Sequence, residues 1–370
     1  MASASDRNDL RTRYRRTKGA PVTTGDHVPD GRVTAFWSSR ARDGDHSIAG
    51  GDHILLNGEE ELSDLPNRPL PCDGDPVGLD RKGPSPVAGL PADRLRAAPS
   101  GLRAGMEAAF GLRQDGQFVL ELLGEIATRK HHAWLVGGSV RDLLSPGSVG
   151  PVKDFDLAGT IGPYCLDLAM SRLLRRSGRG NYIRRLSPRN ISSVAPPGED
   201  SPRLVEYKPL ARPGLKPRVW GGGLREDATT RDLTFNALYY DWQLDVLADP
   251  CGEGQADLDK RVMRTPYEGT DVVELARILM RCVKFQLRYL NFDVSPMVKF
   301  LDENLPVDLG AISKSDWNQL AGMYQRTIPP ELAGRDRADE MTVVPEFGPK
   351  ATRLMQVIKA KAGNEERAEA

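Results

Sequence analysis

Apolar positions along this chain fall into short runs of two periods. Phe118, Leu122, Leu123 and Ile126 recur at helical spacing and predict an amphipathic helix over 115–130. Ala133 to Val136 reads as a short buried strand, Gly137-Gly138 as a turn, and Val140 to Leu144 as a helix closed by Pro146-Gly147. Phe155 to Ala158 is a second strand and Leu166 to Leu174 a second helix. Tyr182 to Leu186 and Leu204 to Leu210 read as strands separated by a Pro-rich loop. Breakers run throughout 211–223, which predicts a mobile segment. A helix is expected over 229–237, then a hairpin of Leu238 to Trp242 and Val246 to Ala248 around Gln243-Leu244-Asp245. From Val272 onward the pattern is helical. The class is α+β: a small mixed β-sheet with flanking helices, followed by an all-helical segment.

Residues 1–112 differ from the rest. They are dense in Arg, Asp, Gly and Pro, carry few aromatics (Tyr14, Phe36 and Trp37 among them), and hold an isolated apolar patch at Ile54-Leu55-Leu56. Such a stretch buries too little apolar area to offset its ordering entropy, so a disordered N-terminal extension is expected. Arg7, Arg11, Arg13, Arg15 and Arg16 are interleaved with Asp6 and Asp9, which counts against an organelle transit peptide. The expected division is the extension at 1–112, the mixed sheet at 113–265, the helical part at 266–358 and a disordered tail at 359–370.

Composition narrows the function classes. Lys plus Arg and Asp plus Glu are both 51 in 370 residues, so no global field draws the chain to nucleic acid and any such contact must be local. There is no apolar run of membrane-spanning length and no secretory core. The four cysteines show no C-x-x-C spacing, which fits a reducing, cytoplasmic setting.

Several groups could carry chemistry. In Asp154-Phe155-Asp156, strand alternation puts both carboxylates on one face and Phe155 on the other. Two like charges so close favour a cation between them, and hard oxygen ligands suit Mg²⁺. Glu206, on a later strand, is a candidate third carboxylate. Gly137-Gly138, between strand and helix, lets a phosphate approach backbone, with Ser139 as an added hydroxyl donor. Arg141 could hold a phosphate or pair with Asp142 or Asp154. Arg231, Asp232 and Asn236 offer a polar helix face. Glu274 and Arg277, at i and i+3 with Arg281 beyond, could form a guanidinium–carboxylate pair that reads a base edge. Arg172, Arg175, Arg176, Arg179, Arg184, Arg185 and Arg189 form a run with no acid between 168 and 198, suited to the phosphates of an RNA.

Taken in order, these motifs resemble the head and neck of the tRNA nucleotidyltransferase and bacterial poly(A) polymerase family, the class II branch of the polymerase β-like nucleotidyltransferases. The family's G-G-x-V-R-D matches Gly137-Gly138-Ser139-Val140-Arg141-Asp142, and its D-x-D matches Asp154-Phe155-Asp156. Its R-R-D-[FL]-T-x-N-A matches Thr230-Arg231-Asp232-Leu233-Thr234-Phe235-Asn236-Ala237. Its D-P-x-G, D-L and basic cluster match Asp249-Pro250-Cys251-Gly252, Asp257-Leu258 and Lys260-Arg261-Val262-Met263-Arg264. The D-x-x-R of its base-reading helix aligns with Glu274-Leu275-Ala276-Arg277. Thr230 stands where the family has a first Arg and Val273 where it has Glu.

The resemblance implies a nucleotidyltransferase head at 113–265 followed by a neck and truncated body. Asp154 and Asp156 would hold catalytic Mg²⁺, assisted by Glu206. Gly137, Gly138, Ser139 and Arg141 would receive the triphosphate. Arg231, Asp232 and Asn236 would contact ribose and phosphates, with Glu274 and Arg277 reading the base and Arg281 in the same nucleotide-binding set. Arg175, Arg176, Arg179, Arg184 and Arg185 would face the acceptor. The implied reaction moves AMP, or CMP and AMP, from ATP or CTP to the 3′ end of a tRNA or other RNA. A non-RNA acceptor and an inactive RNA-binding relic remain the alternatives.

Overall fold

A computed structural model describes residues 54–55, 87, 90–112, 115–145, 152, 154–187, 191–198, 201–212, 219–289, 291–310, 312–328 and 340–369. The chain forms two compact units: one of Met1–Thr230 with Ala237–Gly252, the other of Arg231–Asn236 with Glu253–Ala370.

The first unit is built on one mixed sheet. Its strands are β1 (Ile54–Leu55), β2 (Leu95–Ala97), β3 (Ala133–Val136), β4 (Phe155–Gly159), β5 (Ile183–Leu186), β6 (Ser192–Ala195), β7 (Val205–Pro209), β10 (Tyr239–Asp241) and β11 (Val246–Ala248), in the order β1-β5-β6-β7-β4-β3-β10-β11-β2. β4 and β7 run parallel and every other pairing is antiparallel. A small second ribbon pairs β8 (Ala211–Arg212) with β9 (Val219–Trp220).

Strand alternation sorts the sheet into two faces. Phe155, Leu157, Leu135 and Tyr207 are buried, with α1 (Leu102–Leu112), α2 (Gly116–Thr128) and α4 (Pro163–Arg176) packing together on that side. Phe110 of α1 lies 4.7 Å from Phe155, ring centroid to centroid. α3 (Gly138–Leu144) packs on β3 and β4. The opposite face buries Trp134, Val136, Ala158, Tyr239 and Ala248 beneath Leu224 and Ala228 of α5 (Leu224–Ala228) and beneath Leu90.

The second unit is helical: α6 (Gly254–Lys260), α7 (Val272–Tyr289), α8 (Ser295–Asn304), α9 (Lys314–Thr327), α10 (Glu340–Val343) and α11 (Pro349–Glu369). α7 buries Leu275, Ile278, Leu279, Cys282 and Val283, and packs against α9 and α10, while α9 packs against α11.

The α+β class and most strands match the sequence expectation, with five corrections. Residues 90–112, expected to lack order, carry β2 and α1, because Leu95, Leu102, Met106 and Phe110 are buried in the sheet unit. Ile54-Leu55 does not stand alone but pairs with β5; the rest of the expected extension before Val87 lies outside the described residues. The loop expected between β5 and β7 contains β6, whose Val194 and Ala195 are buried. The helix expected over 229–237 is instead a turn just after α5, a bend and a 3₁₀ turn at Thr234–Ala237. There the Thr229 and Thr230 hydroxyls donate to the carbonyls of Glu226 and Asp227, and the Thr234 N–H goes to the Arg264 carbonyl, which takes it out of helical register. Finally α11 is helical to Glu369, so most of the expected tail 359–370 is structured backbone. Within 211–223 the ends are held by β8 and β9, and residues 213–218 lie outside the described set.

Candidate active site of the sheet unit and polar network of the helical unit

Asp156 sits on β4 directly opposite Val136 of β3 and Glu206 of β7. Side chains opposite one another on neighbouring strands share a face at about 4.8 Å spacing, so the two carboxylates are immediate neighbours. Asp154 precedes β4 by one residue and is half-buried. Phe155 between the two acids is fully buried, as alternation requires. Glu206 forms an ion pair with Arg203.

Gly137 explains why the strand-to-helix turn needs glycine. Its backbone has φ 70° and ψ −131°, outside the range of L side chains. A Cβ built there would lie 2.8 Å from Oδ2 of Asp156. The turn backbone therefore lies directly against the carboxylate. Gly138 has no such constraint: its Cβ would meet only Arg141 Nη2, at 3.7 Å.

The rest of that motif is spent inward. Ser139 is buried and its hydroxyl donates to the Val136 carbonyl at 3.4 Å. Arg141, also buried, donates to Asp142 Oδ1 from Nε at 2.9 Å and from Nη2 at 2.6 Å. Asp142 is one of the partners that the sequence left open for Arg141, and the structure pairs the two.

Among the described residues, no group of three or more His, Cys, Asp or Glu side chains converges well enough to cage a metal ion. Mg²⁺ does not require such a cage; it is commonly held by one or two carboxylates together with substrate phosphates and water. The Asp156–Glu206 pair, with Gly137 backbone open beside it, fits that pattern of binding.

In the helical unit, Asp232 and Asn236 are buried. Asp232 Oδ1 accepts from the Leu233 N–H and from Asn236 Nδ2, both at 2.9 Å, and Oδ2 accepts from Arg281 Nε at 2.8 Å. Burial alone would raise its pKa, but the guanidiniums of Arg281 and Arg277, with the Asn236 hydrogen bond, hold it well below the usual carboxylate range. Arg231 is half-buried. The Glu274–Arg277 pair read from the sequence forms at 2.7 Å, both side chains partly exposed. Arg281 turns away from that pair to Asp232, clamping the Arg231–Asn236 segment to α7. Thr234 and Arg264 both donate to Asp257, at 2.7 and 3.2 Å, which fastens the same segment to α6.

The arginine run is basic in sequence but partly neutralised in space. Arg176 pairs with Glu125 at 2.9 Å, Arg179 with Asp115 and Glu121 at 3.3 and 3.0 Å, and Arg184 with Asp167 at 2.7 Å. Burial raises the pKa of Asp167 even with Arg184 beside it. Arg175 is exposed at the end of α4, and Arg185 is half-buried on β5; Arg189 lies outside the described residues.

One group had no sequence signal. Asp227 of α5 is fully buried. It accepts from the Ala211 N–H at 2.9 Å and the Tyr239 hydroxyl at 2.7 Å, and pairs with Lys208 at 3.4 Å. Lys208 also donates to the Thr230 hydroxyl at 3.0 Å. This knot ties α5 to β7, β8 and β10, on the face that carries Asp156 and Glu206. Asp227 is an acid in an ordinary Arg-Glu-Asp stretch, and only the fold makes it a hub.

Residues 133–264, which contain these strands and turns, match the family model described as the poly A polymerase head domain. This segment is thus similar to that family's head domain. The poly(A) polymerase I of Salmonella typhimurium is 28% identical to the chain over 201 residues, covering 51% of this chain and 40% of that protein. The poly(A) polymerase I of Haemophilus influenzae is 27% identical over 206 residues, covering 53% and 43%. The chain thus spans less than half the length of these relatives. Among solved structures, a Bacillus stearothermophilus CCA-adding enzyme in complex with CTP is 22% identical, with a TM-score of 0.40, covering 67% of this chain and 58% of that one. No helix of the described residues is long and apolar enough to cross a membrane.

Proposed function

We propose that the protein is a template-independent RNA nucleotidyltransferase. It moves AMP, or CMP and AMP, from an NTP to an RNA 3′ end, as a poly(A) polymerase or a CCA-adding enzyme does. The observation that carries this reading is the pairing of Asp156 with Glu206 across parallel strands, beside the Gly137 backbone, inside a poly(A) polymerase head.

In this proposal Asp154 and Asp156, with Glu206 assisting, hold Mg²⁺, which supplies charge neutralisation and activation of the acceptor hydroxyl when bound. Gly137 and Gly138 leave backbone open to the triphosphate. Glu274 and Arg277, held as a pair, present one acceptor edge and one donor edge to a base. Asp232 accepts from Asn236 Nδ2 and Arg281 Nε and so holds the segment carrying Arg231. Phosphoryl transfer asks mainly for such positioning and charge stabilisation.

The test is incorporation of each labelled NTP, with Mg²⁺, into tRNA ending at the discriminator base, tRNA ending in CC, and an unstructured RNA. Two C and one A on the first substrate alone assign CCA addition; long A tails on any RNA assign polyadenylation. Asp154→Ala with Asp156→Ala should abolish either while the circular dichroism spectrum is kept. Full activity of the double variant, or no incorporation by the wild type, would refute the proposal.

A further inference from the structure

Four adjacent strands place one row of side chains across the sheet. Arg185 of β5 is opposite Ser193 of β6, Ser193 is opposite Glu206 of β7, and Glu206 is opposite Asp156 of β4. Directly opposed residues share a face, so Arg185 lies on the carboxylate face, three strand spacings or about 14 Å from Asp156 along the row. Its chain neighbour Arg184 must point the other way, and does so, pairing with Asp167 of α4.

The other arginines of the run divide similarly. Arg175, Arg176 and Arg179 lie on or just after α4, the helix that packs on the Phe155 face. Arg176 and Arg179 are neutralised there by Glu125, Asp115 and Glu121. Arg185 has no ion-pair partner among the described residues. It is half-buried, which is how an arginine lies when its aliphatic stem runs along a surface and its guanidinium reaches solvent. β5 is not the sheet edge, since β1 pairs beyond it, so the strand that carries Arg185 is fixed on both sides.

We infer that Arg185 is the residue of this run that binds the acceptor, holding a phosphate a few nucleotides back from the 3′ end whose terminal hydroxyl reacts at Asp156. Ser193, buried on the strand between them, separates Arg185 from Glu206 by two strand spacings. The inference rests on the RNA nucleotidyltransferase reading above. Arg185 is a binding and positioning residue and takes no part in the chemical step.

The experiment compares wild type, Arg185→Gln and Arg185→Lys at several salt concentrations, with a short RNA acceptor and ATP, measuring KM for each. Arg185→Gln should raise the KM for RNA about tenfold and flatten the dependence of log affinity on log salt by about 0.7, the share of one single-strand phosphate. The KM for ATP should move less than twofold. Arg185→Lys, which keeps the charge, should restore the salt slope. An Arg185→Gln enzyme with unchanged RNA KM and slope would overturn the inference while the wild type still transfers. Equal losses of ATP and RNA binding in both variants, with a lowered Tm, would assign Arg185 to sheet stability and overturn it too. A wild type that transfers nothing to RNA would instead sink the function on which it rests.

Discussion

Gly137→Ala is the sharpest single perturbation of the candidate active site. The native backbone there has φ 70° and ψ −131°. An alanine would strain the backbone by about 1–3 kcal/mol if the turn kept its shape. Its Cβ would also meet Asp156 Oδ2 at 2.8 Å, where ordinary carbon–oxygen contact begins near 3.4 Å. Either the turn or the carboxylate must retreat by roughly half an ångström or more. Misplacement of reacting groups by about 1 Å can cost around 10²-fold in rate. The expected result is a stability loss of about 1–3 kcal/mol in urea unfolding together with a fall in kcat of one to two orders of magnitude. Gly138→Ala is the matched comparison for stability: φ is not positive there and the new methyl meets only Arg141 Nη2, at 3.7 Å. It should be neutral or stabilising by up to about 1 kcal/mol, since alanine is the better helix residue. If Gly137→Ala unfolds at the same urea concentration as Gly138→Ala and turns over at the wild-type rate, the close approach of backbone to Asp156 is not why glycine is there.

Three further outcomes follow from named contacts. Asp227→Ala leaves the Lys208 ammonium and the Tyr239 hydroxyl without their buried partner and should cost about 3–5 kcal/mol of unfolding free energy; a loss under 1 kcal/mol would mean that α5 is held by its apolar contacts alone. Asp232 has a folded pKa depressed below its unfolded value of about 3.9. Its contribution to stability is therefore complete above that pH and is lost as pH falls toward the folded value. Wild-type stability should drop more steeply below pH 4 than that of Asp232→Asn, and parallel curves in acid titration would refute the assignment. Arg277→Ala removes the partner of Glu274 and should flatten the preference between ATP and CTP more than it lowers total incorporation; an unchanged preference in a competition assay would take Arg277 out of base reading.

What could be read from the sequence, and what could not, follows a physical division. Strand β3, the Gly-Gly turn and the strand after it are legible because each is local: an apolar run, a breaker pair, and an Asp-Phe-Asp whose alternation needs only the pleat of one strand. The Glu274–Arg277 pair is legible for the same reason, since i and i+3 are neighbours on any helix. Those features, in their order, were enough to suggest the family. Three other matters are decided by pairing between distant segments, which leaves no local trace. Glu206 stands beside Asp156 because β7 runs parallel to β4 in one register, and a slip of one residue would turn it to the other face. The 229–237 segment gives up its helix because Arg264, Asp257 and Arg281 offer it stronger partners. The arginine run looks uniformly basic in one dimension, yet Asp115, Glu121, Glu125 and Asp167 neutralise Arg176, Arg179 and Arg184, and parity alone places Arg185 on the carboxylate face. Periodicity fixed which residues could be strands, helices and ligands; register and long-range ion pairing chose which of the charged ones remain available for chemistry.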